Sequence, residues 1–191
     1  MVQTQRSNAF KQEPNCRDQS NLSVTFDRMS GSIGSLLLVW SRIERCARDE
    51  VMRVSGSNPQ NLHGVAAVLN AWEEMVAATQ PAASLCPKLA RALRVQLQKP
   101  IEIRNGICHG LIGISAAYDE NPGTLSWSLN GSACSISWDD LQELLAWLAK
   151  VPRTLSLVSN QSLALAEGLA TDTTENRKWW SQECGLELPE Q

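Results

Sequence analysis

Only two histidines occur in the 191 residues, His63 and His109. His109 lies in the string Arg104-Asn105-Gly106-Ile107-Cys108-His109-Gly110, and that company is chemically useful. Histidine exchanges protons near neutral pH and is the first candidate for general acid–base work. A guanidinium grips phosphate oxygens in a planar fork and stabilises the charge they gain in a transition state. An amide orients either group by hydrogen bonds. Arg104, Asn105 and His109 therefore suit RNA cleavage. The imidazole takes the proton of a ribose 2′-OH, or returns one to the leaving 5′-oxygen, while Arg104 holds the phosphate between them. The nucleophile belongs to the substrate, so no Ser or Cys nucleophile, metal or cofactor is required. DNA lacks the 2′-OH and would not serve.

Helical geometry limits how the set assembles. Asn105 and His109 are four apart and share a helix face, with Cβ atoms about 5–6 Å apart. Arg104 precedes His109 by five and lies about 140° around the axis. One straight helix does not make them a tight pair. Two copies meeting across a two-fold axis would place both in one cleft, so a homodimer is expected. Glu44, four after Trp40 on an earlier helix, could pair with Arg104 and position it, although a solvated or interface Glu is the commoner fate.

Other chemistry-bearing residues have ordinary explanations. His63 stands alone beside Gly64. Cys108 neighbours His109 but does not share its face. Asp139 and Asp140 fit the acidic first turn of a helix. Arg42, Arg45, Arg48 and Arg53 form either a basic strip for phosphates or a solvated helix face. The six cysteines are scattered with no C-x-x-C pair, so neither a zinc knuckle nor a redox dithiol is signalled.

The elements that must hold the motif read mainly as helices. Ile33, Leu36, Leu37, Trp40, Ile43, Ala47, Val51 and Val54 recur at three- and four-residue steps, predicting a helix over 32–54. A second helix is expected over 61–78 and a third over 82–99, with Pro87 tolerated near its start. Pro100 breaks that helix or opens the next, which runs to His109 with Gly110 placed to cap it. Three short segments follow, near 111–117, 124–129 and 133–137, with turn signals at Asn121-Pro122-Gly123 and Asn130-Gly131. Ser137 then looks like an N-cap. The helix behind it meets Pro152, where it kinks or ends, and 155–165 continues as helix. Residues 167–176 read as a polar linker and 177–191 as a tail. Trp179 and Trp180 in that tail should dock on the body or on a second subunit, because an exposed pair would be a liability. The fold expected is a mainly α, up-and-down bundle of four to five helices over 21–166, with a small β-meander inserted at about 111–137.

Bulk properties narrow the partners. Net charge is −3 with pI near 5.4, which excludes a general nucleic-acid coat and leaves a local patch or a dimer groove. Residues 1–20 are polar, lack the apolar core of a secretory signal, and are expected to be disordered. The longest apolar run, Leu36–Trp40, is too short to span a bilayer. The expected setting is cytoplasmic, with reduced thiols and no membrane.

Arg-Asn-x-x-x-His-Gly at a helix end resembles the active-site pattern of the HEPN superfamily, in which Arg is followed by a polar residue and then by His after four to six intervening residues. The resemblance is sharp at Arg104–Gly110 and diffuse over Ser32–Leu165. It implies a helical bundle acting as a homodimer and a metal-independent endoribonuclease, with roles in toxin–antitoxin, phage-defence or RNA-processing settings. The implied partners are RNA and, in a toxin pair, an antitoxin protein. The alternative is a non-catalytic dimerisation or protein-binding module of the same fold.

Overall fold

The computed structural model describes residues 24–56, 62–81, 83–117, 122–129, 131–160, 164 and 166–188. The expectations for residues 1–20, Asn121, Asn130 and Leu165 lie outside them. The chain is mainly helical with a small antiparallel sheet. In order it forms α1 (Phe26–Ser55), α2 (Val65–Thr79), α3 (Cys86–Gln96), α4 (Gln98–Gly110), β1 (Leu111–Ser115), β2 (Thr124–Leu129), β3 (Ser132–Ser137), α5 (Trp138–Leu148), α6 (Val151–Ser159) and α7 (Thr174–Cys184). One residue separates α3 from α4 and two separate α5 from α6, so these elements group into five helical stretches among the described residues, with Ala164 and Ala166 also helical.

Helix α1 is the spine. Met29, Ser32, Leu36, Trp40, Ile43, Ala47 and Val51 are buried, the stripe a 3.6-residue period puts on one face. It packs on α2, α5 and α6 and touches α4 and β1. The helix starts at Phe26, six residues before the predicted Ser32. Thr25 caps it by accepting from the Arg28 N–H at 3.3 Å, and Met29 is the first member of the stripe. Gly31 and Gly34, weak helix formers, hide that beginning in the sequence. Gly56, at φ 69°, closes the other end.

Helix α2 starts at Val65, not at 61. Gly64 stands just before it at φ 82°, which no right-handed helix contains. The joint at Leu97 is helical in backbone (φ −76°, ψ −10°), so α3 passes into α4 almost without interruption. Pro100 is the third residue of α4, where its missing N–H costs no helical bond. Pro152 opens α6 in the same way. Helix α6 ends at Ser159 with Asn160 extended, a break within the helix expected over 155–165; Ala164 beyond it is helical again, and residues 161–163 and 165 lie outside the described residues.

The three strands form an antiparallel meander in the order β1-β2-β3. Gly131, at φ 79°, turns the second hairpin. Residue alternation is clean on β2, where Leu125 and Trp127 are buried. That face packs on α4.

The last segment, expected from the sequence as a polar linker and tail, contains a helix. Thr173 caps α7 by accepting from the Asn176 N–H at 3.2 Å, and Gly185 ends it at φ 65°. Trp180 is fully buried and donates from Nε1 to the Leu169 carbonyl at 3.2 Å. Asp172, just ahead of α7, accepts from Lys88 Nζ at 2.6 Å and from Arg177 Nε at 2.6 Å. The Arg177 and Lys88 cations hold its carboxyl well below the usual carboxylate range. No helix among the described residues is long and apolar enough to cross a membrane.

Candidate functional site

Helix α4 exists because its apolar positions have somewhere to go. Pro100, Ile103, Gly106 and Ile107 are buried at three- and four-residue steps. Gly106 faces the Trp127 indole so closely that a Cβ there has no room, and Gly110 faces the Ser128 carbonyl in the same way. The two glycines, four apart, lay the last turn of α4 directly on strand β2. Gly110 is thus not the left-handed cap the sequence suggested. It is the last helical residue, and Leu111 caps the helix at φ −55°. Its smallness serves close approach rather than a positive φ.

This seating decides where the motif side chains go. His109, next to Gly110, is exposed. Asn105 and Arg104 are half-buried. Arg104 Nη1 donates to Asn105 Oδ1 at 2.9 Å. Neighbouring helical residues do not normally face each other, but the length of the arginine stem lets its guanidinium reach the amide. Arg104 Nε is buried with no hydrogen-bond partner. Leaving such a donor unmet costs about 1–3 kcal/mol. Among the described residues, no carboxylate pairs with this guanidinium. Asn105 is therefore committed to Arg104, and no hydrogen bond joins either residue to His109 among the described residues.

Glu44 is elsewhere. Its Oε1 accepts from Arg48 Nη2 at 3.0 Å, and the same nitrogen donates to the Leu62 carbonyl at 3.2 Å. The carboxylate anchors Arg48 against the segment entering α2 rather than positioning Arg104.

The remaining candidates resolve similarly. His63 is exposed ahead of α2. Asp140 belongs to the start of α5, where its N–H donates to Ser137 Oγ at 3.1 Å and its Oδ2 accepts from that hydroxyl at 2.6 Å. Burial pushes the thiols of Cys46, Cys86 and Cys184 up, which keeps them protonated and unreactive near neutral pH. Of the arginines at 42, 45, 48 and 53 on α1, Arg48 and Arg53 are tied to Glu44 and Glu50. Arg42 and Arg45 instead line a cleft against α6 with Arg153. Arg153 lies more than a hundred residues along the chain, and no local pattern singled it out.

No protein-family model, curated protein or solved structure matches the chain.

Proposed function

We propose that the protein is a metal-independent endoribonuclease of the HEPN type, acting as a homodimer in which Arg104 and His109 of two copies line one cleft. The observation that carries this reading is Arg104. Its guanidinium is half-buried and braced by Asn105, forms no ion pair among the described residues, and has a buried Nε–H with no hydrogen-bond partner there. A phosphate oxygen supplies the partner that this group lacks.

The chemistry follows from the groups present. A ribose 2′-oxygen attacks the adjacent phosphorus, and the bond from phosphorus to the 5′-oxygen breaks. His109 accepts the 2′-OH proton or delivers one to the 5′-oxygen. Arg104 stabilises the charge gathering on the phosphoryl oxygens. The products are a 2′,3′-cyclic phosphate and a 5′-hydroxyl. Within one chain no hydrogen bond joins Arg104 to His109 among the described residues, and a two-fold axis near the end of α4 would provide for each phosphate an arginine and a histidine. Leu111 and Ile112, exposed beside His109, are apolar surface that such an interface would cover.

The second reading, a non-catalytic dimerisation or protein-binding module, draws on the same exposed apolar residues. One experiment separates the two. The purified chain is incubated with single-stranded RNA in EDTA. Cleavage to 2′,3′-cyclic phosphate ends, lost in His109→Ala and in Arg104→Ala while both variants stay dimeric by light scattering, is the expected result. Wild-type cleavage in both variants would refute the reading, and absence of cleavage by a dimeric wild type would favour the binding module.

A further inference from the structure

Helices α1 and α6 line an open surface cleft of about 500 Å³, a volume within the range of small-molecule sites. Three arginines line it. Arg42 and Arg45 come from α1 and Arg153 from α6. Its floor holds Cys46 Sγ, which donates to the Pro152 carbonyl at 3.2 Å and lies 3.5 Å from Ser156 Oγ. The charges do not cancel. Glu50 also lines the cleft, but Arg53 already binds it at 2.8 Å. No ion pair engages Arg42, Arg45 or Arg153 among the described residues. Asp49 is the remaining carboxylate, so the walls carry a surplus of positive charge.

That surplus is divided in space. Arg42 and Arg45 sit one turn apart on α1, and Arg153 faces them from α6. Asp49 lies four residues past Arg45, about 6 Å farther along the helix axis. One end of the cleft thus attracts an anion with forked donors, and the other end accepts hydrogen bonds from hydroxyls. A bare anion would gain nothing from Asp49 and would be repelled by it. A sugar carrying a phosphate has both halves, at about this separation, and the volume accommodates a nucleotide.

We infer that the cleft between α1 and α6 is a binding site for a small phosphorylated, hydroxyl-bearing molecule of nucleotide size. Arg42, Arg45 and Arg153 take the phosphate, and Asp49 takes the sugar hydroxyls. The site is separate from Arg104 and His109 and does not depend on any activity there.

Titration calorimetry of the full chain in EDTA tests it, with ribose 5-phosphate, ADP, inorganic phosphate and a ten-nucleotide single-stranded DNA as probes. Ribose 5-phosphate or ADP should bind more tightly than inorganic phosphate. Affinity for it should fall at least tenfold in the double variant Arg42→Gln/Arg153→Gln. Asp49→Asn should erase the advantage over inorganic phosphate. All three cleft residues are exposed, so these variants should keep the wild-type circular dichroism. Binding of the oligonucleotide alone would overturn the inference in favour of a nucleic-acid strip. Equal binding of inorganic phosphate, undiminished binding in the double variant, or no binding of any probe would overturn it as well.

Discussion

Gly106 lies against the indole of Trp127 with no space for a β-carbon between them. The contact joins the middle of the motif helix to the middle strand of the sheet. Gly106→Ala must displace either α4 or the ring. Overpacking of this kind costs about 1–3 kcal/mol. Gly34 of α1 has no heavy atom near its would-be Cβ, so Gly34→Ala should instead stabilise by about 0.5–1 kcal/mol through helix propensity. Urea unfolding of both variants should give shifts of opposite sign. A stabilised Gly106→Ala would show that α4 does not rest on Trp127 in solution.

Asn105 braces the guanidinium of Arg104. On the proposed chemistry, Asn105→Ala frees the side chain without removing its charge. Losing a hydrogen bond to a charged group is worth about 1.5 kcal/mol or more, roughly tenfold in rate. RNA cleavage should drop by about that factor, far less than in Arg104→Ala. Parity between the two variants would mean that the amide acts on substrate directly.

Trp180 ties α7 to the body through both its volume and its N–H. Trp180→Ala should cost about 3–5 kcal/mol, as large buried aromatics do. Trp180→Phe restores most of the packing but leaves the Leu169 carbonyl without its donor, so it should fall between the two. Thermal melts of the three proteins give the order. If Trp180→Ala melts with the wild type, α7 is not docked in solution.

Asp172 should make stability depend on pH at the acid end. Its folded carboxyl titrates below the ordinary value of about 3.9. A depressed folded pKa contributes stability that is present above the unfolded pKa and is lost as pH falls toward the folded one. Asp172→Asn should therefore lower the urea midpoint at pH 7. The gap to wild type should be unchanged at pH 5 and should narrow below about pH 4. A gap that persists undiminished at pH 3 would assign the effect to packing rather than to the ion pairs with Lys88 and Arg177.

The stripe on α1, the meander and the acidic turn of α5 could be read from the residues because each depends on local periodicity or capping. Ser137, Asp139 and Asp140 announce their helix start within four positions. Gly110 could not be assigned correctly, because a glycine needed for close approach and a glycine needed for a left-handed cap look alike in one chain. The difference lies in the Ser128 carbonyl, eighteen residues away and across the sheet. Helix α7 escaped for another reason. Its sequence, TENRKWWSQEC, has too few apolar residues to show a stripe, although Thr173 and Gly185 mark both ends. Glu44 was readable as a helix-face residue, but its partner was already four positions away in Arg48. Arg153 could not be linked to Arg42 without knowing that α6 lies on α1.

Helix α4 has no loop at either end. One residue, Leu97, joins it to α3, and β1 begins at Leu111 directly after Gly110. An inserted residue at Leu97 would rotate everything beyond it by about 100° relative to α3 and turn Gly106 and Gly110 away from strand β2. Natural variants that keep this site should therefore preserve the number of residues from Leu97 to Leu111 even where sequence identity has decayed. A fixed count, more than any single conserved letter, is the signature to seek in distant genomes.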